Sequence, residues 1–151
     1  MLKKITTFLI FIIFIYGCDY TPIYSDKKNS VEIKIISVTG DAEINDYLSK
    51  ELKRKSKSSS KKIDVKINTN FTKRILAKDT KSFATDYELK VVGNFELNNN
   101  DTSQLFTISE NFRYKNLNNN YEQNNYEEMI KRNLTKTIVS KLILRINNFK
   151  W

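Results

Sequence analysis

The sequence predicts an α+β fold: a four-stranded, mainly antiparallel sheet with two helices packed on one face, in the order β-α-β-β-β-α. Three observations predict it. Between Ile63 and Tyr114, three runs alternate apolar and polar residues, the period of strands buried on one side only. Short polar segments separate these runs, as hairpin turns do. Two further stretches, Ile44 to Leu52 and Tyr126 to Ile146, repeat apolar residues at helical spacing. Two apolar stripes and one apolar sheet face can cover each other in two layers.

The first strand rests on Val31-Glu32-Ile33-Lys34-Ile35, which alternates strictly. Ile36 and Val38 then shift the phase, so a bulge or a second buried face is expected. After Gly40, Asp41 suits a helix N-cap and Glu43 suits the first turn. Ile44, Tyr47, Leu48 and Leu52 form the stripe, and Lys50, Lys53, Arg54 and Lys55 lie largely off it. The helix runs out into the polar loop from Ser56 to Lys62. Seven of the thirteen residues from Lys50 to Lys62 are basic, which fits either a solvated helix end or a contact with anionic headgroups.

In the second strand Ile63, Val65, Ile67, Thr69 and Phe71 take one face, and Ile75-Leu76-Ala77 extends it. Lys78-Asp79-Thr80-Lys81 is the expected turn. Phe83, Thr85, Tyr87, Leu89, Val91, Phe95 and Leu97 hold one parity in the third strand. The polar loop from Asn98 to Asp101 tolerates left-handed backbone and leads to Phe106, Ile108, Phe112 and Tyr114, where Glu110 breaks the pattern. Asp64, Lys66, Asn68, Glu88, Lys90 and Glu96 are left for a wet face. Asn116 to Asn125 reads as a loop, with Asn124 or Asn125 capping a last helix of about 20 residues, about 30 Å long. Its stripe is Tyr126, Ile130, Leu134, Ile138, Leu142 and Ile146, widened by Met129 and Ile143.

Upstream, Lys3 and Lys4 precede nine apolar residues from Phe8 to Tyr16, then Gly17 and Cys18, the one cysteine in the chain. A charged start, a short apolar run and a small residue read as an export signal. A spanning helix needs about 20 apolar residues. The run before Asp19 is about half that, although an uncleaved anchor or a plain secreted protein stays open. Apolar-x-Gly-Cys resembles a bacterial lipobox, which implies cleavage before Cys18 and acylation of its thiol. Residues 1–17 are then a signal peptide, 18–30 a lipidated tether, and 31–151 a single domain. Asp19 resembles, in enteric bacteria, a signal for retention in the inner membrane, so both membranes stay open on the residues.

Loss of Lys3 and Lys4 reduces the net charge from +9 to +7 and leaves 134 residues, enough for one domain. That charge favours acidic partners, and export argues against nucleic acid among them. The chain has no histidine. With its one thiol acylated it also lacks Ser-His and Cys-His pairs and the usual metal-ligand sets. No Gly-rich phosphate loop is present. Adjacent Glu127 and Glu128 do not face each other on a helix and make a poor acid/base pair. A non-catalytic, cofactor-free binding protein is expected.

Cys18-Asp19-Tyr20-Thr21-Pro22-Ile23-Tyr24 resembles the Cys-Gly-aromatic-x-Pro-Leu-Tyr start of alphaproteobacterial LptE, the lipopolysaccharide-assembly lipoprotein family. Leu76-Ala77-Lys78-Asp79 followed by Ala84 to Leu89 resembles a hairpin of that family. Phe112-Arg113-Tyr114-Lys115-Asn116 before a long helix resembles its end. The resemblance implies an outer-membrane lipoprotein facing the periplasm, which plugs and helps fold the LptD β-barrel and helps insert lipopolysaccharide into the outer leaflet. A periplasm-facing adaptor of another envelope machine or of the cell wall is the alternative. For direct lipopolysaccharide contact the candidates are Lys78 and Lys81 at a turn tip, Lys131 one turn into the last helix, and Lys73 and Arg74 close behind. Basic groups at such places can meet lipid A phosphates without being buried.

Overall fold

In the computed structural model, which describes residues 31–99, 102–117 and 119–149, the elements follow the predicted order. Cys18, the rest of the signal and tether, and Asn100 and Asp101 lie outside the described residues. The elements are β1 (Glu32–Gly40), α1 (Ala42–Lys55), β2 (Lys62–Lys78), β3 (Ala84–Asn98), β4 (Ser103–Lys115) and α2 (Asn120–Asn147). The strands lie side by side in the order β1-β2-β3-β4.

The sheet is mixed rather than antiparallel throughout. β2–β3 and β3–β4 are antiparallel hairpins, whereas β1 pairs with β2 in parallel. The reason is α1, which carries the chain back along the sheet so that β2 starts beside the start of β1. The predicted bulge is present: the β1–β2 register shifts between Ile35 and Ser37. It leaves Ile36 exposed.

α1 starts as read, with the Asp41 carboxylate accepting from the Ile44 N–H at 3.0 Å. Ile44, Leu48 and Leu52 are buried against the sheet. α2 corrects the sequence reading at its start. Asn119, not Asn124 or Asn125, is the cap, and its side chain accepts from the N–H groups of Tyr121 and Glu122. The helix therefore has 28 residues, about 42 Å at 1.5 Å per residue. Gln123 is what holds the extra turns down: it is buried, donates to Glu127 at 2.9 Å and accepts from the Leu117 N–H. Met129 faces solvent, and Val139 and Thr135 widen the buried stripe in its place.

Both helices lie on one face. Ile63, Val65 and Ile67 of β2, Leu89, Val91, Phe95 and Leu97 of β3, and Ile108 and Tyr114 of β4 meet the helical stripes in one core. Each such side chain is worth roughly 1.5–3 kcal/mol when fully buried. Glu110 interrupts the apolar parity of β4 because it points to this same side and pairs with Lys141 of α2 at 2.5 Å. Where β1 meets α1 the core holds a polar knot. Thr69 donates to Asn45 at 2.7 Å, and Asn45 donates to the Thr39 carbonyl at 3.0 Å. Among the described residues, every buried side-chain nitrogen and oxygen has a partner, as buried polar groups require.

Candidate functional site

Both helices lie on the other side, so among the described residues nothing covers the second sheet face, and the strand register arranges it in rows. Thr39, Asn68, Asn94 and Thr107 form one row across all four strands, in which Thr107 donates to Asn94 at 2.7 Å. Next to it run Ser37, Lys66, Glu96 and Leu105, with Lys66 paired to Glu96 at 3.1 Å. These two rows line an open groove of about 410 Å³. Apart from Leu105, which is 80% exposed at the edge of the groove, the rows present amides, hydroxyls and one ion pair, each able to exchange water for a partner's hydrogen bond.

Toward the β2–β3 hairpin the same face becomes basic. Arg74, Glu88 and Arg113 form one row. The Glu88 side chain is 3% exposed, while those of Arg74 and Arg113 are 63% and 71% exposed. Arg74 donates to one carboxylate oxygen, and Arg113 and Asn111 donate to the other at 3.1 Å each. Arg74 first, then Asn111 and Arg113, hold the Glu88 carboxyl down to about 2, because all three bond the charged form.

The hairpin tip is tied by Asp79. Its carboxylate accepts from the N–H groups of Lys81 and Phe83 at 2.9 and 2.8 Å, and Ser82 takes the left-handed backbone that the turn requires. Lys78 and Lys81 are exposed there without an ion pair to a described residue. Phe83, 68% exposed, and Ile75 and Leu76 add apolar surface beside them.

The other two candidates close behind the tip are both engaged. Lys73 points to the helix side, where it pairs with Glu127 at 2.6 Å and lies 4.6 Å from the Tyr87 ring centroid. Arg74 points to the open face. Lys131 differs from its expected setting: it lies in the fourth turn of α2, not one turn in, and its side chain is only 13% exposed. It bridges Asp41 at 3.1 Å and Glu43 at 2.8 Å and sits 4.8 Å from the Phe71 ring centroid, so it fastens α2 to the start of α1. Burial alone would lower the Lys131 pKa, but Glu43 and Asp41 outweigh it and raise it. Lys78, Lys81 and Arg74 therefore cluster at one end, and Lys131 stands apart from them.

Arg113 and Glu88 complete the basic row, and sequence reasoning did not select Arg113. The signal was present as Arg113 and Glu88 on the outward parity of two neighbouring strands, legible only once the hairpin register is known. Among the described residues, no three His, Cys, Asp or Glu side chains gather as metal ligands, and no helix is long and apolar enough to cross a membrane.

A family model described as LptE, lipopolysaccharide-assembly, matches residues 29–146. No curated protein matches the chain in sequence. Among solved structures, the fold is similar to the rare lipoprotein B from Shewanella oneidensis, with TM-score 0.60 and 10% identity over 76% of this chain and 95% of that one. The solution structure of an uncharacterized lipoprotein B from Nitrosomonas europaea gives TM-score 0.59 and 16% identity over 78% and 84%. A minor lipoprotein from Acinetobacter baumannii gives 0.54 and 15% over 76% and 93%.

Proposed function

The chain belongs to the LptE family of lipopolysaccharide-assembly proteins, and from that premise we propose that it is the non-catalytic lipoprotein partner of an LptD-like β-barrel. In this reading Cys18 carries the lipid that anchors residues 18–30 to the outer membrane on its periplasmic side. Residues 31–151 form the single domain that plugs the barrel and supports its assembly, and Lys78 and Lys81 at the hairpin tip contact lipopolysaccharide. Arg74 lies on the same basic end. Lys73 and Lys131 act inside the domain, because each is already held by a carboxylate.

The observation that carries the reading is the uncovered polar face of the sheet. A barrel lumen is polar, and the Thr39–Asn68–Asn94–Thr107 row offers it hydrogen-bonding groups in place of apolar surface. The dimensions agree. β1 and β2 start together at the anchored end, and the tip lies at the far end of β2, 17 residues away. At 3.3 Å per residue this is roughly 55 Å, enough to carry the tip across a hydrocarbon core about 30 Å thick.

Affinity purification of the chain from detergent-solubilised membranes, followed by mass spectrometry, should recover a large outer-membrane β-barrel in stoichiometric amount. Cys18→Ala should remove palmitate labelling and leave an uncleaved precursor or a soluble form. Recovery of cell-wall components without a barrel would contradict the reading in favour of an adaptor, and palmitate that persists in the variant would contradict the anchor.

A further inference from the structure

We propose that the basic cluster at the anchored end of the domain docks on anionic phospholipid headgroups of the leaflet that holds the Cys18 lipid. This contact rests on the reading above for where the bilayer lies, and adds to the lipid a second, electrostatic hold. Lys53, Arg54 and Lys55 belong to the last turn of α1, and Lys57, Lys61 and Lys62 follow it, all six exposed. The backbone gathers them in one place. The Ile33 N–H donates to the Ser56 hydroxyl at 2.8 Å, the Lys57 N–H to the Val31 carbonyl at 3.1 Å, and the Glu32 N–H to the Lys61 carbonyl at 2.9 Å. The cluster is thus tied to the first residues of the domain, where the tether enters. Residues 18–30 extend to about 45 Å at most, at about 3.5 Å each. A lipid on Cys18 therefore keeps the cluster within that distance of the bilayer surface.

Charge and chemistry favour a lipid surface. The carboxylates within the cluster are both taken, Glu51 by Arg54 at 2.5 Å and Glu32 by Lys62 at 3.5 Å. Lys53, Lys55 and Lys57 have no ion pair to a described residue, so the cluster keeps a surplus of positive charge. Asp64, the next carboxylate, lies on the open face in register with Lys34. The helix end accounts for part of the surplus, because cations suit a last turn. It does not account for Lys57, Lys61 and Lys62, which come after the Ser56 cap. Five of the six basic residues are lysines. Compact charges on flexible stems suit a layer of mobile headgroups, whereas fixed recognition of one phosphate favours arginine forks. Each basic group held near an anionic surface raises partition onto it about fivefold.

The test uses the full lipidated chain reconstituted on vesicles of phosphatidylcholine, alone or mixed with phosphatidylglycerol. A fluorophore on an unnatural amino acid at Ser58, in the loop between Lys57 and Lys61, reports energy transfer to an acceptor on the lipid headgroups. Transfer should rise on the anionic vesicles and return to the neutral level at high salt, which screens surface charge. Lys53→Gln, Lys55→Gln and Lys57→Gln together should lower the ratio of docked to undocked domain about a hundredfold, at about fivefold each, and so remove the rise. Lys57→Gln alone, outside any helix, replaces the triple variant if that melts early, and it should lower the same ratio about fivefold. A fluorophore at Thr80, on the far hairpin tip, should show no rise. An equal rise there would mean adsorption by net charge and would overturn the proposal. Equal transfer from Ser58 on the two kinds of vesicle, or a rise that persists in the folded triple variant, would overturn it too. Oligoglutamate that abolishes the rise at a concentration below that of the anionic headgroups would overturn it in favour of an acidic protein surface. Retention of the chain on phosphatidylcholine vesicles at high salt reads the Cys18 lipid separately, so a failed anchor and a failed patch give different results.

Discussion

Gly40→Ala should cost the domain about 3 kcal/mol or more, a large part of the 5–15 kcal/mol that holds a typical domain folded. Gly40 has φ +99°, a backbone that L side chains rarely adopt, and an added Cβ would lie 1.8 Å from the Thr69 carbonyl oxygen. That atom belongs to backbone, so no side chain can swing away to make room. The end of β1 would have to leave β2 and break the Asp41 N–H bond to the same carbonyl. The Asn45–Thr69 and Asn45–Thr39 bonds would follow, and with them the seat of α1. The left-handed backbone alone costs a non-glycine residue about 1–2 kcal/mol; the overlap accounts for the rest. Urea unfolding followed by circular dichroism reads the result. An alanine variant within about 1 kcal/mol of the parent would show that this junction yields more easily than its geometry indicates.

Glu127→Ala should cost about 2–4 kcal/mol, the range for removing one partner of a partly buried charged cluster. Glu127 gathers Lys73 from β2, the Tyr114 hydroxyl from β4 and Gln123 one turn earlier in α2. Without it three donors lose their acceptor, and the early turns of α2 lose their hold on the sheet. Burial pushes the Glu127 carboxyl up, but the donors Lys73, Tyr114 and Gln123 together outweigh it and hold it below the usual range. Burial first, then Glu127, raises the Tyr114 hydroxyl. Glu88 is held down as well, to about 2. A carboxyl whose folded pKa is depressed contributes stability above its unfolded pKa and loses that contribution as pH falls through the folded one. The urea midpoint should therefore fall between about pH 4.5 and 2, and the pair Glu88→Gln and Glu127→Gln should flatten that limb. An equally steep acid limb in the double variant would place the acid sensitivity on other groups.

The fold was legible because its signals are local. Parity along β2, β3 and β4 and the stripe from Ile130 to Ile146 stay within one element, and each became a buried face, although Phe83, just before β3, and Phe112 of β4 stay exposed. What was hidden depends on pairing across distance. Lys131 looked free because Asp41 and Glu43 lie about 90 residues earlier in the chain and meet it only when α2 crosses the start of α1. Glu110 looked like a flaw in a strand until Lys141 appeared above it. The parallel pairing of β1 follows from where α1 returns the chain, which alternation within β1 does not encode. The start of α2 was hidden by composition: a run rich in asparagine has poor helix propensity, yet Asn119 caps it and Gln123 buries it. At the basic end, Lys78 and Lys81 were legible as turn residues, whereas Arg113 needed the hairpin register to reach Glu88.

Site-specific photo-crosslinking from the open sheet face tests the central claim most directly. A photoreactive residue at Asn68, Asn94 or Thr107, each exposed on the polar row, should trap an outer-membrane β-barrel on illumination of living cells. Adducts confined to other envelope proteins, with no β-barrel from any of the three positions, would contradict the account.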